Sequence, residues 1–267
     1  MATRLETRYL RGATEATGTG RDHSGMCPRQ RIAYADGIGI RAGPVVLEAN
    51  LAIPRGARGV VLFAHGSGSS RFSQRNRAVT ANLNDSGIAT LLVDLLTEEE
   101  ETIDSVTAHL RFDIGLLAKR LIDATDWLLN APEMRGLRIG YFGASTGAAA
   151  ALMAAVERSQ AVAAIVSHGG RPDLAGSALP HVLAPTLLIV GGCDVPVIEM
   201  NRAALVELRC KKRLEIVPGA THLFEEAGAL QQVAGLAREW FKRYLEQEPA
   251  VAGSASSCGR FIHEGSE

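Results

Sequence analysis

The chain has 267 residues and a formal net charge of −1, with 46% hydrophobic and 21% charged residues. This is the composition of a globular chain, and it excludes an intrinsically disordered polymer, which would be poorer in apolar residues or further from neutrality. It also lacks the basic excess of a nucleic-acid binder, and no apolar run approaches the roughly 18 residues of a membrane span, so neither partner is expected.

Residues 1–29 are Arg-rich and show no hydrophobic periodicity. They lack the apolar centre of a secretory signal and read as a flexible tail. Residues 248–267, small and polar from Glu248 and Pro249 onward, read as a second tail. Between them, residues 30–247 form one expected domain of about 220 residues, an ordinary single-domain size. The four cysteines, Cys27, Cys193, Cys210 and Cys258, make no C-x-x-C pair. Neither a zinc site nor a dithiol motif is suggested, and reduced thiols fit a cytoplasmic protein.

Short apolar runs cover residues 45–53, 59–64, 89–93, 137–142, 162–166, 185–190 and 214–217. Runs apolar on both faces are the mark of central strands in a parallel sheet covered by helices on each side. Helical spacing separates them. Ser105 is placed to cap a helix with Val106, Leu110, Ile114, Leu117, Leu121 and Leu128 on one face, ended by Pro132. A last helix carries Leu230, Val233, Leu236, Trp240 and Tyr244. The acidic run Glu98 to Glu101 reads as a solvated loop. Arg209, Lys211, Lys212 and Arg213 read as the cationic end of a helix. The alternation predicts a doubly wound α/β fold with a mostly parallel sheet of about eight strands. About 18 residues separate the strands ending at Val166 and starting at Pro185, which leaves no room for a separate cap domain. Working loops of such a sheet lie at the carboxyl ends of its strands.

Gly143-Ala144-Ser145-Thr146-Gly147 is a G-x-S-x-G sequence. It follows a strand directly and opens an Ala-rich helix, the setting of a nucleophile elbow. A serine hydroxyl needs a base to take its proton, and the base needs an acid to orient it. Asp194, after the strand ending at Val190, and His222, after the strand ending at Val217, follow in the order this architecture requires. Asp173 is the reserve acid. An oxyanion needs two N–H donors. Thr146 offers one, and the Gly-rich loop from His65 to Arg71 offers the other, from Ser67 or, failing that, Gly68. His65 reads as a loop-orienting residue, and Cys193 as no nucleophile. Arg71, Arg75 and Arg77 stand beside that loop. Arg71 and Arg171, with His168, fall at strand ends and are the candidate substrate contacts, since arginine grips a carboxylate bidentately. The other readings of these arginines are salt bridges or a solvated helix start.

These elements, Ala64-His65-Gly66-Ser67-Gly68-Ser69, the Ser145 pentapeptide, Gly191-Gly192-Cys193-Asp194 with Pro196-Val197, and Gly219-Ala220-Thr221-His222-Leu223-Phe224, resemble the dienelactone hydrolase-like branch of the α/β-hydrolase superfamily. The resemblance implies a hydrolase that forms an acyl-enzyme on a small ester or lactone, with no metal and no organic cofactor. Dienelactone hydrolases proper carry a cysteine at the elbow where this chain has Ser145. Some similar hydrolases are joined to a phosphoribosyltransferase domain, for which the 29 leading residues are too few. An acyl-enzyme can also be resolved by another nucleophile, so acyl transfer and thioester hydrolysis are the alternatives, ahead of a non-catalytic binding protein.

Overall fold

In a computed structural model, residues 31–66 and 68–246 are described. The two expected tails lie outside them. Eight strands form one sheet in the order β1-β2-β4-β3-β5-β6-β7-β8. β1 (Ile32–Ala42) and β2 (Val45–Pro54) form an antiparallel hairpin at one edge. β2 runs antiparallel to β4 (Ala89–Val93). From β4 onward the neighbours are parallel: β3 (Gly59–Ala64), β5 (Arg138–Ala144), β6 (Val162–His168), β7 (Thr186–Gly191) and β8 (Lys212–Val217). The central strands β3, β4 and β7 are buried at every position, as their unbroken apolar runs require.

Two helices cover one face and the rest of the helical chain the other. α1 (Gln74–Asp85) and α6 (Ala229–Leu245) pack over Val61, Phe63, Phe142, Val166 and Leu187. α3 (Ile114–Asn130) and α4 (Thr146–Glu157) cover Leu62, Leu91, Ile139, Tyr141 and Ile165. In α4, Ala148 to Ala151, Ala154 and Ala155 are fully buried. Their small side chains let the helix lie close against the sheet. α5 (Val195–Glu207) follows β7, with Val197 and Ile198 against Val190. Between β6 and β7 only short 3-10 turns intervene, over Pro172–His181.

Several expectations are corrected. The eighth strand, β1, has no continuous apolar run, because it is a largely exposed edge strand interrupted by a bulge between Ala35 and Ile38. Gly37 supplies a positive φ of 66° there. The helix expected from Ser105 is two helices. α2 (Glu98–Thr107) ends in a left-handed Ala108, and α3 begins afresh, capped by Asp113. Ser105 sits in the last turn of α2 and donates to the Thr102 carbonyl. The cluster from Arg209 to Arg213 follows α5 and runs into β8, yet Lys212 does reach back to the Leu208 carbonyl at the end of that helix.

The acidic run is not a loop but the first turn of α2. Acidic side chains there complement the positive end of the helix. Glu100 closes a capping box with Thr97: its backbone N–H donates to Thr97 Oγ1 at 3.3 Å, and its carboxylate accepts the Thr97 N–H at 2.9 Å. The same carboxylate takes the guanidinium of the buried Arg120, which also donates to the Leu95 carbonyl at 2.6 Å. Arg120 holds the Glu100 carboxyl below the usual glutamate value of 4.5. A depressed folded-state value stabilises the fold above the unfolded value, and that contribution fades as the pH falls through the folded one. A Glu100→Gln variant should therefore melt below wild type at neutral pH, with a gap that closes progressively as the pH drops below 4.5. Thermal melts of both proteins across that range check it.

Candidate active site

The carboxyl ends of β3, β5 and β6 meet at Ser145. It is half-buried at the start of α4 and has φ 49° and ψ −122°. A side chain in that region is strained by about 1–3 kcal/mol, which persists only where surrounding contacts fix it. Here the Ser145 N–H donates to the His168 carbonyl at 3.4 Å, and its carbonyl accepts the N–H groups of Arg171 and Ala148 at 3.0 and 3.1 Å. The flanking glycines are needed for close approach. A Cβ on Gly143 would lie 2.5 Å from Ala148 Cα, and one on Gly147 would lie 2.1 Å from the Ala64 carbonyl oxygen.

Asp194 and His222 meet because their loops are laced together. Gly192 N–H donates to the Val217 carbonyl at 2.8 Å and Cys193 N–H to the Ala220 carbonyl at 2.9 Å. A Cβ on Gly191 would strike the Ala220 and Thr221 carbonyls at 2.5 and 2.4 Å. His222 Nδ1 then donates to Asp194 Oδ2 at 2.7 Å. The carboxylate is 14% exposed and the imidazole 41%, so the pair stands open to solvent on the histidine side. In a neutral imidazole this bond puts the proton on Nδ1 and leaves Nε2 as the acceptor. Glu226 pins the turn by accepting the Thr221 N–H and hydroxyl at 3.0 and 2.6 Å. Gly169, next to the residue that receives the Ser145 N–H, packs against the same turn: a Cβ there would lie 3.1 Å from the His222 carbonyl.

The turn after β3 lies directly over the elbow. A Cβ on Gly66 would come within 2.8 Å of Ser145 Cβ. His65 holds this turn in place, as expected: Nδ1 donates to the Gly66 carbonyl at 3.0 Å, and Nε2 accepts the Leu95 N–H at 3.2 Å. Ser67 lies outside the described residues. Gly68 follows with a positive φ of 66°, and Thr146 is the first residue of α4, with its N–H at the helix start.

Four residues named from the sequence are placed differently. Arg71 is bound by Asp94 and Glu48 and its N–H donates to Asp94 Oδ1 at 2.6 Å, so it braces the loop and is not available to a ligand. Arg171 is tied to Asp173 at 2.7 Å, which takes both the proposed substrate arginine and the reserve acid out of those roles. His168 is 7% exposed, stacked between Phe142 and Phe224 rather than presented to a substrate. Burial first, then Arg75 and His222, lower its pKa to about 3. By sequence Arg75 ranks behind Arg71 and Arg171, and Asn201 is not named at all. Arg75 lines a cavity of about 610 Å³ together with Gly68, Ser70, Phe72, Phe224 and Gln231. It contacts Glu225 at 3.3 Å, both side chains being well exposed. Its place beside the glycine loop was the available signal. Asn201, fully buried, donates to the Gly170 and Val197 carbonyls and joins α5 to the loop after β6. Nothing local in its sequence marks that contact.

No group of three or more potential metal ligands occurs among the described residues. No described helix is long and apolar enough to cross a membrane.

A parallel sheet with this strand order, a strained serine elbow and an Asp–His pair on the following loops is the α/β-hydrolase fold. The sequence profile of the dienelactone hydrolase family matches residues 47–246, and the chain belongs to that family. It is a hydrolase. A dienelactone hydrolase from Anabaena variabilis is similar at 64% identity and a TM-score of 0.77, over 78% of this chain and 97% of that one. Est1E from Butyrivibrio proteoclasticus shares the fold at 16% identity and a TM-score of 0.67, over 79% of this chain and all of that one. A Mycobacterium tuberculosis H37Rv protein that carries the name of a phosphoribosyl transferase is 55% identical over 208 residues, 78% of this chain. That match is 46% of its length, so the chain spans about half of the curated relatives it matches.

The glycine contacts yield a direct test. Gly147→Ala would drive a methyl into the Ala64 carbonyl, a backbone atom that cannot turn aside. Overpacking of this kind costs about 1–3 kcal/mol or more, so the variant should melt well below wild type or fail to accumulate as folded protein. Thermal denaturation and soluble yield measure the effect.

Proposed function

We propose that this chain is a serine hydrolase that cleaves a small carboxylic ester or lactone through an acyl-enzyme. The observation that carries the reading is the 2.7 Å bond from His222 Nδ1 to Asp194, on two loops laced to each other, together with the strained Ser145 at the start of α4. In this reading His222 Nε2 removes the Ser145 proton as Oγ attacks the acyl carbonyl. Asp194 holds the imidazole tautomer and stabilises the imidazolium. The Thr146 N–H and an N–H of the turn after Gly66, from Ser67 or Gly68, receive the developing oxyanion. His222 then returns the proton to the leaving alcohol, which for a lactone stays attached to the acyl group. Water, deprotonated by His222, attacks the acyl-enzyme and restores Ser145.

The cavity beside Gly68 and Phe224 has the size of a small-molecule site. Its lining mixes the polar side chains of Ser70, Gln74, Arg75 and Glu225 with the apolar ones of Phe72, Phe224 and Leu230. Arg75 is the arginine that lines it. The chemistry draws on side chains and backbone amides alone. The described cysteines, Cys193 and Cys210, are free thiols, which supports a reducing, cytoplasmic location. Phosphoribosyl transfer, the activity in the relatives' name, is assigned in this reading to the half of those proteins that the chain does not match.

A fluorophosphonate probe should label wild type at Ser145 and leave Ser145→Ala unlabelled. Turnover of p-nitrophenyl acetate should fall roughly 10⁴-fold in Ser145→Ala and in His222→Ala. Full activity in either variant refutes the reading. Dependence of the wild-type rate on an added alcohol or thiol would point to acyl transfer instead.

A further inference from the structure

We propose that His168 is a positioning residue for His222, its ring acting through Phe224 as a wedge that sets the turn on which His222 stands. The proposal rests on the catalytic reading of His222 given above. His168 ends β6, paired in register with Ala144, one residue before Ser145. Its side chain falls on the face covered by α1 and α6, as do Phe63, Phe142 and Phe224. The four rings form a column with centroid spacings of 4.8, 5.6 and 4.4 Å, from the end of β3 through β5 and β6 to the turn after β8. Phe224, two residues past His222, is 1% exposed and has a φ of 55°. A bulky residue in that region is strained, so its contacts must fix it. The closest ring of the column against it is His168.

The imidazole does this at a cost. Among the described residues neither His168 Nδ1 nor Nε2 has a hydrogen-bond partner, and buried polar groups are seldom left so. The ring therefore serves by shape, and it stays uncharged. Burial opposes its protonation. Arg75 from α1, which pairs with Glu225, and His222, which pairs with Asp194, add to that. A neutral wedge adds no charge to compete with the imidazolium that His222 forms in the reaction.

The test compares His168→Ala with His168→Phe, which keeps an aromatic ring in the column. Rates are divided by the active-site concentration from fluorophosphonate titration, so loss of folded protein does not count. In His168→Ala, kcat should fall about 10- to 100-fold with KM nearly unchanged, the effect of a misplaced reacting group. His168→Phe should restore most of that loss. The downfield proton resonance of His222 Nδ1–H, sharp in wild type, should broaden in His168→Ala and return in His168→Phe. This resonance needs no substrate, so it reads the wedge even if the hydrolase reading fails. An unchanged resonance and kcat in His168→Ala overturn the proposal. So does a His168→Phe variant as impaired as His168→Ala, which would mean that the ring nitrogens act directly.

Discussion

The backbone of Ser145 turns where a side chain is strained, and three neighbouring stretches of chain must come within contact of it. Gly66, Gly143 and Gly147 make that approach possible, since a methyl at any of them would collide with the elbow or with the strand and helix that flank it. Sterics here are stricter than energetics. A side chain could be tolerated in a loose turn, but not between a helix start and the end of β3. The elbow in turn sets where the loops after β3, β6 and β8 must lie.

Those loops are held by polar contacts that run far from the serine. Glu100 caps α2 and pairs with Arg120, and Arg120 holds the Leu95 carbonyl. The Leu95 N–H is accepted by His65, whose other nitrogen donates to Gly66 against Ser145. Arg71 braces the same loop from Asp94 and Glu48. The acidic run and the loop arginine thus share one structural task, which leaves Arg75 as the arginine on the cavity. On the opposite side, the aromatic column and the Gly191–Asp194 lacing hold the His222 turn. The Ser145 side is set by close contact and the His222 side by hydrogen bonds and neighbouring rings.

The parts that were legible in the sequence are those whose cause is local. The central strands showed as continuous apolar runs because both faces of each are covered. β1 did not, because an edge strand with a bulge needs no such run. The G-x-S-x-G sequence, Asp194 and His222 were legible because each follows a strand of a parallel sheet, where loops cluster. The break between α2 and α3 was missed because apolar spacing continues across it, while a left-handed Ala108 ends the first helix.

What the sequence determined by itself is the run of central strands, the elbow and the placement of Asp194 and His222 after strands, all functions of near neighbours in the chain. The tertiary structure decided which charges are committed. Arg71, Arg171 and Asp173 look available in sequence and are paired in space, because an ion pair depends on distance after folding. His168 looks like a loop residue and is a buried ring, because its position at the last register of β6 turns it toward the aromatic face. Partners such as Glu48 with Arg71, Glu100 with Arg120 and Asp194 with His222 lie 20 or more residues apart, and only the folded chain brings them into contact.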